Sequence, residues 1–167
     1  MNTTTFKTPE EVETSITCET DEFSSLTTCK MPNKNTCSDD GSDSEMNCVG
    51  NRTYSSLRVD YDKENSAIFS INGYVFDLGW TFLESALDKD GKTILFSKTD
   101  STVPYCNQSA CQHKEYFSIS LDKNYLIKHK DSGISIKIYG KRGTARIELP
   151  NIYIKGFLNY IRNNNVK

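Results

Sequence analysis

Cysteines are the residues of this 167-residue chain with the most distinctive chemistry, and there are six of them. They are Cys18, Cys29, Cys37, Cys48, Cys106 and Cys111. Structural zinc sites usually present pairs of cysteines only about two to four residues apart, and the first four cysteines form no such pair. Cys106 and Cys111 come closer to that spacing, with His113 nearby, but no second close pair accompanies them. Disulfides explain an even count in a polar segment better, because a segment with little core needs crosslinks to stay ordered.

The disulfide interpretation determines the predicted compartment. We predict that Cys106 pairs with Cys111 and that the first four cysteines pair among themselves in a connectivity that spacing does not select. Disulfides persist in oxidising compartments, so we expect a secreted or periplasmic protein whose signal peptide has been removed. Three glycosylation acceptor motifs, at Asn2, Asn51 and Asn107, agree with export. The alternative is a cytoplasmic protein with six free thiols.

Catalytic motifs are scarce in the sequence. It contains no nucleophile elbow, phosphate-binding loop, dinucleotide fingerprint or zinc-protease motif. Asp60 and Asp62 could act as the paired carboxylates of a hydrolase, which we keep as an alternative function. His129 lies between Lys128 and Lys130, where a solvated cationic turn is expected. The sequence therefore favours a non-enzymatic protein with no cofactor and no metal.

Charge is distributed unevenly along the chain. The formal net charge is -2, but residues 1–50 carry three lysines against ten acids, and residues 114–167 carry eleven basic against four acidic residues. Basic side chains cluster around a predicted hairpin that also offers a tyrosine. Together with a predicted surface loop over residues 99–113, this hairpin is the expected contact surface. The candidate binding residues are Lys137, Tyr139, Lys141, Arg142, Arg146 and His113.

Such a surface would meet a protein or another anionic surface partner. The turn over residues 140–143 could also hold an anion through its backbone N–H groups. Nucleic acid is an unlikely partner in an oxidising compartment. A cytosolic regulatory or nucleic-acid-binding protein with free thiols remains the alternative, and so does a plain hairpin whose charges only keep it soluble.

The elements that must position these residues are clearest over residues 132–162. Isoleucines alternate with polar residues from 134 to 139, which is typical of a strand with one buried face. A glycine-flanked turn and a second alternating run over 144–149 complete a hairpin. Pro150 and Asn151 then begin an amphipathic helix. Its apolar stripe contains Ile154, Phe157, Leu158 and Ile161.

The preceding chain is predicted to alternate short strands and turns. Asn72-Gly73 is a strong signal for a type I′ hairpin turn between strands over 67–71 and 74–78. Residues 80–87 suit a short helix, residues 93–97 and 117–121 suit strands, and Asp122 is expected to cap another short helix. Gly156 within the last helix is expected to mark close packing of backbones.

These elements predict an α+β fold. A largely antiparallel β-sheet carries a C-terminal amphipathic helix and one or two short helices. An irregular, disulfide-rich N-terminal segment precedes it, and residues 8–13 in this segment are expected to form a short helix. The proposed division is an acidic, cysteine-containing segment over residues 1–50 and a compact domain over residues 51–167. No apolar run is long enough to span a bilayer. The function that these features favour is that of an exported, non-enzymatic binding protein.

Overall fold

The computed structural model describes residues 6–37, 51–64 and 66–166. These residues form three helices: α1 (Pro9–Thr14), α2 (Lys123–His129) and α3 (Asn151–Asn163). The first six strands are β1 (Thr17–Thr20), β2 (Thr27–Lys30), β3 (Lys34–Cys37), β4 (Arg52–Tyr61), β5 (Ala67–Asp77) and β6 (Leu83–Asp88). The remaining strands are β7 (Thr93–Ile94), β8 (Phe96–Cys106), β9 (Cys111–Leu121), β10 (Ile134–Gly140) and β11 (Gly143–Leu149). Among the described residues, no helix is both long and apolar enough to cross a membrane.

The strands form two antiparallel sheets. The larger sheet has the order β1-β2-β4-β5-β9-β8, and β3 pairs with the same edge of β4 as β2 does. The smaller sheet has the order β11-β10-β6-β7. The two sheets contact each other where β11 lies against β3 and β4, and where β6 and β7 lie against β8 and β9. The predicted α+β class, with a largely antiparallel sheet and a C-terminal helix, is confirmed.

One hydrophobic core lies between the sheets and α3. Alternate residues of β4, β5 and β9 point into it, and so do Ile136 and Ile147 of the smaller sheet. Phe157 and Ile161 of α3 are buried against them, as the apolar stripe of this helix predicts. The hairpin β10–β11 and helix α3 therefore form as expected, because their periodicity alone decides which face is buried.

Helix α1 packs on α3 at a glycine. A Cβ on Gly156 would lie 2.5 Å from the carbonyl oxygen of Pro9 and 2.5 Å from the Cβ of Val12. The expected close packing at this glycine is confirmed. Thr8 caps α1, with Pro9 at the first helical position, so the predicted short helix is also confirmed.

The predicted turn at Asn72-Gly73 is wrong. Both residues lie within the continuous strand β5, which pairs with β4 on one side and β9 on the other. Gly73 lies opposite Phe117, and a Cβ there would be 2.9 Å from the Phe117 ring and 2.0 Å from the Tyr54 carbonyl oxygen. The glycine therefore serves the close approach of a neighbouring strand and an aromatic ring, which a local turn preference cannot reveal.

Two further segments differ from the sequence-based predictions. Residues 83–88 form strand β6 rather than part of a helix, because β10 and β7 supply hydrogen-bonding partners on both sides. Residues 99–113 are not a surface loop, since β8 and β9 form a long hairpin that turns over residues 107–110. The exposure of nearly all of β8 makes this hairpin look like a polar loop in the sequence.

The N-terminal residues are also more regular than predicted. Residues 6–37 contain α1 and the three strands β1 to β3, and both β2 and β3 pair with β4. The sequence could not show this, because these strands are only four residues long and are held by pairing with a strand that follows residue 50.

Disulfides close two of the hairpins. Cys18 pairs with Cys29 across β1 and β2, and Cys106 pairs with Cys111 across β8 and β9, each at directly opposite positions. Both bonds agree with the predicted pairings. Cys37 is also disulfide-bonded. Cys48 lies outside the described residues.

Candidate binding surface

The loop that joins β5 to β6 has an unusual backbone. Phe82 has a φ of 56°, the left-handed region that side chains other than glycine, asparagine and aspartate rarely adopt. A conformation of this kind costs on the order of 1–3 kcal/mol and persists only where neighbouring groups enforce it. Such strain is concentrated at binding and catalytic sites, so the groups that hold this loop are informative.

Glu115 is the group that holds the loop in place. Its side chain projects inward from β9 and is 2% exposed. Its carboxylate accepts hydrogen bonds from three successive backbone N–H groups, those of Thr81 at 2.6 Å, Phe82 at 2.9 Å and Leu83 at 3.2 Å. Lys98 of β8 completes the site with a salt bridge of 3.1 Å. The carboxylate therefore attaches the C-terminal end of the loop, residues 81–83, to strand β9 of the larger sheet.

The electrostatics of this carboxylate follow from its contacts. Burial alone would raise the pKa of Glu115. The Lys98 salt bridge and the N–H groups of Leu83, Phe82 and Thr81 outweigh burial and leave its pKa below the usual value. Glu115 is thus a charged, fully coordinated structural anion at neutral pH.

The turn of the β10–β11 hairpin docks onto the same loop. The backbone N–H of Lys141 donates to the Phe82 carbonyl at 3.2 Å, and the N–H of Arg142 donates to the Thr81 carbonyl at 3.1 Å. A Cβ on Gly140 would be 2.3 Å from the Thr81 carbonyl oxygen, so a glycine permits this approach. The suggestion that the turn holds an anion through its N–H groups is therefore wrong, since carbonyl oxygens occupy the two central ones.

The fixed loop displays apolar and aromatic side chains beside cations. Leu78 is 66% exposed and Phe82 is 37% exposed. The guanidinium of Arg142 lies 5.3 Å from the Phe82 ring centroid, and the Lys98 ammonium lies 5.8 Å from that of Trp80. We call this the aromatic–cationic surface. It comprises Leu78, Trp80, Phe82, Lys98, His113, Lys141 and Arg142.

Three of the residues predicted from the sequence thus meet on this surface. His113 packs edge-on against Trp80 with ring centroids 4.4 Å apart, and Trp80 lies 6.4 Å from Phe82. Lys141 and Arg142 reach the same loop from the hairpin turn. The Lys141 ammonium also lies 3.4 Å from a carboxylate oxygen of the exposed Glu84.

The other three predicted binding residues lie elsewhere on the hairpin. Lys137 and Arg146 are directly opposite each other on the outer face of the smaller sheet. The Lys137 ammonium lies 5.2 Å from the Tyr139 ring centroid, and Arg146 is 3.8 Å from Glu148. These side chains form a separate, solvated basic strip.

The residues considered for catalysis have structural contacts. Asp60 accepts hydrogen bonds from the Arg58 guanidinium, at 2.7–2.9 Å, and from Thr28. Asp62 accepts the backbone N–H groups of Glu64 and Ser66 and so shapes the turn after β4. Each carboxylate thus has a structural role in this fold. In the part of the chain that the structure describes, no cluster of three or more His, Cys, Asp or Glu side chains could hold a metal ion.

His129 does not form the solvated turn that its sequence neighbours predict. It is 5% exposed and packs against Tyr125 with ring centroids 4.4 Å apart. Burial and the charge of Lys128 lower its pKa, so the imidazole is neutral at pH 7. The prediction was wrong because His129 lies three residues after Leu126, on the buried face of α2.

Sequence reasoning missed Leu78, Trp80, Phe82, Lys98 and Glu115. The only tryptophan of the chain was a possible signal, but it falls in a segment that reads as a short helix. The position of Glu115 is visible only when β9 turns that side chain inward. We found no family model, no similar curated protein and no similar solved structure that matches this chain. The geometry of the surface is therefore what bears on function.

Proposed function

We propose that this protein is an exported, non-enzymatic binding protein that uses the aromatic–cationic surface to bind a protein partner carrying exposed carboxylates. The observation that carries this proposal is a strained loop, held by a buried carboxylate, that displays Leu78 and Phe82 at the surface beside the half-buried Trp80. A loop selected only for stability would be expected to relax the strain and to bury its apolar side chains.

The composition of the surface supports a protein partner. Tryptophan and arginine are enriched among the residues that dominate binding energy at protein interfaces. Loop and turn are also rigid before binding, because hydrogen bonds from Lys141, Arg142 and the 81–83 backbone are already made. Rigidity lowers the entropy lost on association.

The charge on the surface supports carboxylates on the partner. Lys98 is neutralised by Glu115, but Arg142 lies over an aromatic ring with no carboxylate partner among the described residues. A guanidinium placed in this way can accept a carboxylate in a bidentate arrangement while it remains stacked.

Two features support export. Disulfides close two hairpins, and no described cysteine is a free thiol. The glycosylation acceptor Asn107 lies in the exposed turn between β8 and β9, where its side chain accepts the N–H groups of Ser109 and Ala110. A thiol titration of unreduced native protein should detect no free thiols. About six free thiols would exclude export and favour the cytosolic alternative.

Capture experiments with matched surface variants test the binding role. The double variant Leu78→Ser/Arg142→Ser removes an exposed apolar group and a cation from the aromatic–cationic surface. The control Ile127→Ser/Lys128→Ser makes the same kind of change on α2, where Ile127 is 46% exposed. Immobilised wild-type protein and both variants are incubated with the extracellular or periplasmic fraction of the native source.

We expect wild type and control to retain the same partner, and the Leu78/Arg142 variant to lose at least about tenfold in affinity, which corresponds to about 1.4 kcal/mol. Equal retention by all three proteins, or no specific capture by the wild type, would refute the proposed surface.

A further inference from the structure

A second concave site lies on the outer face of the larger sheet, across β4, β5 and β9. It is a cleft of about 590 Å³, within the range of sites for small ligands. None of the residues of the aromatic–cationic surface lines it. Its lining includes the neutral polar side chains of Asn33, Ser56, Asn72, Tyr74, Thr99 and Tyr116.

Tyr74 and Tyr116 line one wall of the cleft, and they belong to a row of three tyrosines on the outer face of the sheet. Tyr54, Tyr74 and Tyr116 occupy directly opposite positions on the three central strands. The rings of Tyr54 and Tyr74 stack at 4.7 Å, and those of Tyr74 and Tyr116 are 5.6 Å apart. The Lys114 ammonium lies 4.7 Å from the Tyr74 centroid. Because Tyr74 has a ring on each side, its edge and hydroxyl, rather than its faces, remain for a ligand.

The opposite wall is the segment between β2 and β3, and it is also fixed. Met31 donates its N–H to the Leu57 carbonyl at 3.0 Å, and the Ser56 hydroxyl donates to the Met31 carbonyl at 2.6 Å. Asn72 on the floor donates to the Ser70 hydroxyl at 3.2 Å, which leaves its amide oxygen as an acceptor. The cleft therefore has its shape and polar groups in place before a ligand binds.

The polar groups that face the cleft are mainly neutral. Arg58 in the lining is neutralised by the three short contacts of its guanidinium with Asp60. Lys30 is exposed to solvent, and the described lining residues include no carboxylate. Hydroxyl and amide groups can each donate and accept, which suits a ligand whose own groups do both.

From this arrangement we propose that the cleft binds a neutral saccharide. The sugar hydroxyls would exchange hydrogen bonds with the amides of Asn33 and Asn72 and with the hydroxyls of Tyr74 and Tyr116. The C–H faces of the sugar would pack on the apolar parts of the walls, such as Pro32. A ligand whose recognition depends on charge would find, among the described lining residues, only one exposed cation without a carboxylate partner, Lys30.

The test follows backbone and side-chain amide resonances of ¹⁵N-labelled protein during titration with neutral sugars. The probes are glucose, galactose, mannose, N-acetylglucosamine, cellobiose and lactose, each to about 50 mM, which would largely saturate a site of low-millimolar Kd. We expect at least one probe to shift the side-chain amides of Asn33 and Asn72 together. We also expect the Kd to change by less than about twofold when salt is raised, because no ion pair is formed.

Matched variants locate the binding. Asn72→Ala/Tyr116→Phe should weaken the affinity for that probe about tenfold or more. The control Asn159→Ala/Tyr105→Phe makes the same changes outside the cleft. Its affinity for the probe should stay within about twofold of the wild-type value. Preserved amide dispersion in both variants shows that they fold. Glucuronate, titrated in the same way, is the charged comparison. The proposal is overturned if no neutral probe shifts these amides, if both variants bind equally well, or if only glucuronate binds and salt abolishes its binding.

Discussion

Replacement of Glu115 by glutamine tests whether a buried charge holds the binding loop. Glutamine has nearly the same shape, so the substitution removes the charge without creating a cavity. One amide oxygen can still accept the N–H groups of Thr81 and Phe82. The amide NH₂, however, would face the Leu83 N–H and the Lys98 ammonium, both of which are donors.

The expected loss of stability can be worked out from these contacts. Hydrogen bonds to a charged group contribute about 1.5–3 kcal/mol, and a buried donor left without an acceptor costs about 1–3 kcal/mol. Lys98 is 34% exposed and can turn toward water, which reduces its share. We therefore expect Glu115→Gln to lower the free energy of unfolding by roughly 2–4 kcal/mol at pH 7, since Lys98 and the Leu83 N–H both lose their acceptor.

Denaturant unfolding followed by tryptophan fluorescence measures this loss. Trp80 is the only tryptophan and lies on the loop itself, so it reports local as well as global change. The folded-state pKa of Glu115 lies below its ordinary value of 4.5. The stability that this carboxylate contributes is thus present above about pH 4.5 and is lost as the pH falls through the folded-state pKa. The difference in free energy of unfolding between wild type and Glu115→Gln should therefore become smaller as the pH falls below about 4.5.

Glu84→Gln is the matched control. Glu84 is an exposed partner of Lys141 near the same loop, and an exposed pair of this kind contributes about 0–1 kcal/mol. The carboxylate does not hold the loop if the free energy of unfolding of Glu115→Gln lies within about 0.5 kcal/mol of the wild-type value. The same conclusion follows if the difference between the two free energies stays constant down to pH 3.

Three further predictions concern the scaffold. Gly156→Ala should lower the free energy of unfolding by about 1–3 kcal/mol, although alanine favours helix, because the new Cβ would meet the α1 backbone. Gly79→Ala is the control, since there is open space around Gly79, and it should change thermal unfolding little. Cys106→Ser/Cys111→Ser should leave the global free energy of unfolding within about 0.5 kcal/mol of wild type, because this exposed end of the β8–β9 hairpin can open locally. Hydrogen exchange of the backbone amides at this end should become at least about tenfold faster. His129 has a lowered folded-state pKa, so the unfolded chain binds more protons below about pH 6.5 and stability should fall there with decreasing pH. His129→Gln should flatten that part of a stability–pH curve, and an unchanged slope would contradict the buried, neutral imidazole.

The fold was predictable wherever one face of an element is buried along its whole length. The hairpin β10–β11, helix α3 and the Asp122-capped helix α2 all follow from local periodicity and capping. Disulfide formation and the Cys106–Cys111 pair were equally predictable, but the pairing of Cys18 with Cys29 was not, because spacing does not select among the possible pairings of the first four cysteines. What these elements share is that a few neighbouring residues contain the whole signal.

Other features became visible only when distant strands came together. Asn72-Gly73 has the local preference of a turn, yet β4 and β9 provide hydrogen bonds on both sides and Phe117 fills the space above the glycine. Strand β6 depends in the same way on β10, which begins about fifty residues later in the chain.

The sequence by itself determined the chemical inventory and the local elements: cysteines able to form disulfides, a basic hairpin, and an antiparallel sheet with a C-terminal helix. Only the tertiary structure decided which of these groups form a surface. It turned Glu115 inward beneath residues 81–83, brought Arg142 over Phe82, and separated Lys137 and Arg146 from them. The physical reason is that hydrogen bonds and ring contacts between residues far apart in the chain leave no periodic trace in the sequence, although they determine what the folded protein displays.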